Sequence, residues 1–152
     1  MGKKDELKER IENNKEEGDF SGPASEEQIK KVEEALNVSL PESYKWFLRN
    51  YGEGGMFGFE IYGIVNDDIM PVVERTLVHR EVGLPPSFVV IRNCDEYQMC
   101  LDTSKMKDGE CPVVDWDMTF GARQMQEEYR NFYEYLKEQI EESLEDMEDD
   151  EL

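Results

Sequence analysis

Positive charge, histidine and long apolar runs are what this sequence has little of. Lys and Arg number 17 against 37 Asp and Glu, a formal net charge of −20. So acidic a chain is repelled by nucleic-acid phosphate and by anionic membranes, so direct binding to either is not expected. The one histidine, His79, falls inside a predicted helix with no catalytic or chelating partner at a recognisable spacing. Cys94, Cys100 and Cys111 fit no short chelating loop even with His79 added, so neither a metal nor another cofactor is expected. No stretch approaches the roughly 18 apolar residues of a membrane span. Gly2, Lys3, Lys4 and Asp5 stand where a leader would build its apolar core, so the expected compartment is the cytosol, with reduced thiols. The glycines of "GEGG" at 52–55 lead into Met56 and Phe57, and no Gly-Lys-Ser/Thr occurs, which excludes both phosphate-loop signatures.

What is present suits one folded domain. The chain has 152 residues, 38% of them hydrophobic, with 7 Phe, 7 Tyr and 2 Trp to build a core. The acid is concentrated at the end. From Met125 to Leu152 there are 12 acidic residues against Arg130 and Lys137, half of the whole excess. A solvated helix face running into an acidic tail accounts for that by itself.

The apolar spacing predicts helix first, then strands, then helix. "KKDELKERIENNKEEG" has only Leu7 and Ile11 as regular apolar positions and predicts a marginal helix, followed by a linker turn at Phe20. Ser25 and Gln28 form a capping-box pair ahead of Ile29, Val32 and Leu36, and Asn37 is a plausible stop. Pro41 suits the first turn of a helix whose Tyr44, Phe47, Leu48 and Tyr51 stand at 0, 3, 4 and 7. Gly52 ends it, and Phe57, Phe59 and Ile61 alternate as in a strand. A third helix is expected from near Pro71 to near Gly83. Strands are expected in "LPPSFVVIRN" after its Pro-Pro lead-in, in "CDEYQMCLDTS" after a turn, and in "CPVVDWDM" with Val113 and Val114 central. Met125, Tyr129, Phe132, Leu136, Ile140 and Leu144 predict a long closing helix. The order gives a single α+β domain: N-terminal helices, a central mainly antiparallel sheet and a long C-terminal helix.

Paired acids are the nearest thing to catalytic chemistry: Asp67 with Asp68, Asp95 with Glu96, and Asp115 with Asp117 on one predicted strand. Among 37 acids such pairs arise by chance, and two of the three lie at predicted turns where Asp is ordinary. A hydrolase using Asp115 and Asp117 is therefore the weakest reading, and no catalytic residue is expected. Asp115-Trp116-Asp117 reads either as a Trp buried from one sheet face or as an acid-rimmed patch for a partner.

"SEEQIKKVEEALNVSLPESYKWFLRNYGEGG" resembles the opening signature of the SUKH superfamily, bacterial immunity proteins grouped with the fungal Smi/Knr cell-wall regulators. Leu40-Pro41, Tyr44, Phe47-Leu48, Tyr51 and Gly52 carry the likeness. "FEIYGI", "LPPSFVVIRNCDEYQMCLDTSK" and "ECPVVDWDM" extend it to about Leu136. The division expected is a helical extension over 1–22, the SUKH-like domain over 23–145 and an acidic tail over 146–152.

The resemblance implies an antitoxin that binds and neutralises a cognate protein toxin, in this family frequently a nuclease. The charge of −20 adds the expectation that the toxin is basic and that occluding its active site suffices. A regulatory protein-binding scaffold is the alternative. No nucleic acid or membrane would be a direct partner, and the chain would act as a monomer or weak homodimer. Glu53, Asp67, Asp68, Asp95, Glu96, Tyr97, Asp115, Trp116 and Asp117 are the partner-binding candidates, because the helical stripes are committed to the core.

Overall fold

The computed structural model of the chain describes residues 2–119 and 128–151. In chain order the elements are α1 (Lys3–Asn14), α2 (Glu26–Leu36), α3 (Glu42–Tyr51), α4 (Pro71–Arg80), β1 (Phe88–Asn93) and β2 (Gln98–Asp102). A 3-10 turn (Thr103–Lys105), β3 (Val113–Trp116), β4 (Glu128–Tyr129) and α5 (Phe132–Glu151) follow. The strands form an antiparallel meander in the order β1-β2-β3-β4, so the α+β architecture is as the sequence predicts.

Local chemistry sets the helix ends. Ser25 Oγ accepts from the Gln28 amide at 3.1 Å, and Gln28 Oε1 accepts from the Ser25 amide at 2.9 Å. Asn37 closes α2 in the left-handed region at φ 55°. Pro41 precedes α3 rather than opening its first turn, with extended backbone at ψ 152°. Asn131 caps α5, its Oδ1 accepting from the Glu134 amide at 3.0 Å.

Alternation along the strands makes two cores. Val89, Ile91, Met99, Leu101 and Val113 face one way and join the buried stripes of α1, α2, α3 and α5. Phe88, Val90, Cys100, Val114 and Trp116 face the other way and cluster with Leu84. Phe47 is fully buried, its ring within 6.2 Å of Phe20, Tyr51 and Phe132. Burial of such a side chain contributes about 1.5–3 kcal/mol. The helix α1 is too short and too polar to persist alone. Leu7 and Ile11 lie in the main core, and Arg10 meets Glu141 of α5 at 3.4 Å.

The outer edge of β1 is closed against further pairing. Val90 N donates to Thr76 Oγ1 of α4 at 2.9 Å, and Ile91 O accepts from Tyr62 N at 2.7 Å.

Three expectations are corrected. Phe57, Phe59 and Ile61 do not form a strand: Gly54 and Ile61 make a lone bridge, and a turn at Met56–Phe59 leaves Phe57 exposed. Phe20 is no bare linker, because it bridges to Gly54 and packs its ring 4.8 Å from Tyr51. The closing helix starts at Phe132, with Tyr129 in β4, while Met125 lies outside the described residues. The acidic end from 146 onward continues as helix to Glu151.

Candidate partner-binding surface

The nine candidate residues fall in three places. Glu53 lies between the α3 terminus and the glycine turn, half-buried, with Oε1 accepting from Gly63 N at 3.1 Å. Burial pushes its carboxyl up; the Gly63 amide opposes this, and the like charges of Glu60 and Glu74 add to it. Asp67 and Asp68 are exposed in the loop before α4. Asp67 Oδ1 accepts from Gln28 Nε2 at 3.0 Å and sits 3.9 Å from Lys31 Nζ.

The remaining six converge at one end of the sheet. Asn93 Oδ1 accepts from Asp95 N at 3.0 Å, and Asp95 holds φ at 63°, which turns β1 into β2. Asp95 and Glu96 are exposed, while Tyr97 packs against the main core. Gln98 pairs with Trp116 across β2 and β3, so the hairpin tip lies beside Asp117. Asp115, opposite Met99, is only 8% exposed. Trp116 is 2% exposed, in the second core and edge-on to His79 at 5.9 Å. That packing is the buried-Trp alternative of the two that the sequence leaves open. The accessible acid at this end therefore comes from Asp95, Glu96 and half-buried Asp117.

Two adjoining clefts at the glycine turn escape sequence reading. One, about 390 Å³, is lined by Asp19, Phe20, Glu53, Gly54, Phe59 and Glu60. The other, about 410 Å³, shares Met56, Phe59 and Glu60 with it and adds Tyr62 and Arg92. Phe20 sits in a Ser-Gly-Pro context that reads as linker, and its pairing with Gly54 is a contact between distant segments. Only the glycines at 54 and 55, too many for a strand, signal that the backbone here must approach something closely.

The sulfur and imidazole groups are set for packing. Burial pushes the Cys100 thiol well up and the Cys111 thiol up to about 12, keeping both protonated and weakly nucleophilic. His79 places Nδ1 2.8 Å from the Arg75 carbonyl oxygen, a bond within its own helix. Among the described residues, no group of three or more His, Cys, Asp and Glu side chains is placed to hold a metal ion. No described helix is long and apolar enough to cross a membrane.

Residues 5–141 match SUKH_5, the family described as SMI1-KNR4 cell-wall. A Bacillus subtilis (strain 168) relative, described as uncharacterized protein YnaB, is 32% identical over 92 residues. That stretch covers 59% of this chain and 58% of the relative, so the match spans little more than half of the relative's length. A crystal structure of a protein from Pseudomonas syringae pv. tomato superposes with a TM-score of 0.69 at 16% identity. It covers 89% of this chain and 96% of its own, a likeness of fold.

Proposed function

Because the chain belongs to the SMI1-KNR4 cell-wall family, we propose that it is an immunity protein: a cytosolic antitoxin that binds a cognate protein toxin. It neutralises that toxin by covering its active site or substrate groove, and does no chemistry of its own. The observation that carries this reading is the charge of −20, with carboxylates exposed in the loop before α4, at the β1–β2 hairpin and along α5. A nuclease must present a basic surface to phosphate, and an acidic partner is drawn to that surface from a distance. The proposed partner is therefore a basic toxin, a nuclease by preference, met by a monomer or weak homodimer.

The test takes the protein encoded beside this chain's gene, which should arrest growth when expressed alone, and co-expresses the two. Growth should be restored, and the purified pair should bind with nanomolar affinity. Growth arrest that persists at full expression of this chain, with no binding at micromolar concentration, would remove the reading.

The family's cell-wall description favours a second reading, a regulatory scaffold for several cell-envelope proteins. Recovery of several unrelated partners at comparable affinity would favour it over a single toxin.

A further inference from the structure

The helices α2 and α4 lie side by side, yet only α2 separates polar from apolar cleanly. Its Ile29, Val32 and Leu36 are buried, and its exposed positions are charged apart from Ala35. In α4 the inward side is Val72 and Thr76, but the outward side is also apolar. Leu77 is 44% exposed, Val78 53%, and Val82 in the following turn 46%. Of the seven large apolar side chains exposed among the described residues, five fall between Val65 and Val82. Exposed apolar residues scattered singly need no explanation, whereas a concentration on one element marks a contact surface.

The charges around this face are sorted. Glu74 and Glu81 are exposed and stand four residues from Val78 and Leu77, in the same helical rows. Of the two cations of α4, Arg80 is held by backbone carbonyls, donating to Leu36 O at 2.9 Å and Pro86 O at 2.7 Å. Arg75 is exposed and rests on the Tyr62 ring at 6.0 Å. Asp68 is exposed in the loop ahead of the helix, while Asp67 is matched by Lys31 of α2. An apolar centre with a carboxylate rim is complementary to an apolar patch ringed by Lys and Arg. A second copy of this chain would instead set acid against acid across the contact, at −20 on each side.

We propose that the outward face of α4, centred on Leu77, Val78 and Val82, is the docking surface for a basic protein partner. The identity of that partner rests on the toxin-binding reading above. The apolar centre sets how long the complex lasts, and Glu74 and Glu81 guide its approach.

The experiment uses the full chain and, as the probe, the purified product of the adjoining gene, shown first to arrest growth when expressed alone. A triple substitution L77S/V78S/V82S changes only exposed side chains and should leave the melting temperature near wild type. It should weaken binding by about 30-fold or more, chiefly through faster dissociation. Amide exchange on the wild-type pair should slow over residues 69–82, a readout that needs no variant. Wild-type affinity in the triple variant, or no protection over 69–82, would overturn the α4 assignment and leave the toxin reading standing. Failure of the wild-type chain to bind the toxin would remove both. Sedimentation showing a wild-type dimer that the triple substitution dissociates would also overturn it, since the occupant would then be a second copy.

Discussion

The Arg92 guanidinium ties β1 to α5 through the Tyr135 hydroxyl, to which Nη1 donates at 3.1 Å. The same nitrogen donates to Gln139 Oε1, and Nη2 reaches the Gly58 carbonyl at 3.2 Å. One planar fork thus holds a strand, a helix and the glycine turn together. Arg92→Met should cost about 2–3 kcal/mol in urea unfolding, because buried acceptors on α5 lose their donor. Arg92→Lys should recover only part of that, since one ammonium cannot span all three acceptors. A wild-type midpoint in Arg92→Met would show that the fork holds nothing.

Trp116 belongs to the second core, packed with Val114, Cys100 and Leu84. Trp116→Ala should therefore lower stability by about 3–5 kcal/mol, the usual cost of removing a large buried ring. A thermal melt reads this directly. An unchanged melt with faster dissociation of the toxin would instead make Trp116 a partner contact.

These two residues show what was legible in the sequence and what was not. Apolar spacing located α2 and α3, Pro71 and Gly83 bracketed α4, and apolar runs between turn residues located the three longer strands. The strand β4 has two residues, Glu128 and Tyr129, and exists only through pairing with Val113 and Val114. Tyr129 also fits the helical arithmetic of Phe132 and Leu136, and the better signal was the capping residue Asn131 between them. Phe57, Phe59 and Ile61 have strand spacing, but Gly54 sits against the Asp19 carbonyl and the chain turns instead. The Arg92 contacts join residues more than 30 positions apart and leave no local pattern. Of the candidate site, the acidic turns were legible as turns. Which acids stay accessible was not, because burial of Asp115 and Trp116 is decided by the sheet.

Gly54 should tolerate no side chain. Its φ is 129°, and a Cβ there would stand 2.0 Å from the Asp19 carbonyl oxygen. Gly54→Ala should cost at least about 1–3 kcal/mol from backbone strain, before any movement of the Asp19–Phe20 segment is counted. Chemical denaturation checks it, and a loss under about 0.5 kcal/mol would mean that the segment yields freely.

Glu53 gives a pH dependence with a definite sign. Burial raises its carboxyl in the folded protein, so between the ordinary carboxylate value and the raised one the native state holds the proton more tightly than the unfolded chain. Its contribution to stability is therefore greatest below that window and declines as pH rises through it. Glu53→Gln keeps an acceptor for Gly63 N and removes the charge. The variant should melt at or above wild type at pH 7, and the difference should shrink toward pH 4. A variant less stable than wild type at pH 7 would mean that the Gly63 bond needs the full carboxylate.

The proposed steering of a basic toxin by the exposed acids predicts how salt would act on that complex. Charges beyond roughly 8 Å are screened at physiological ionic strength, so added salt should slow association with the toxin and change dissociation little. Asp67, Asp68, Asp95 and Glu96 are the exposed carboxylates best placed in loops to contribute. Truncation before residue 146 removes five further acidic residues from the C-terminal end of α5. It should lower the association rate modestly and leave neutralisation intact, because the proposed steering depends on total charge. Stopped-flow association from low to high salt, on the full chain and the truncated one, separates the two contributions. A flat association rate in both would remove charge from the mechanism and leave packed contact alone to explain binding.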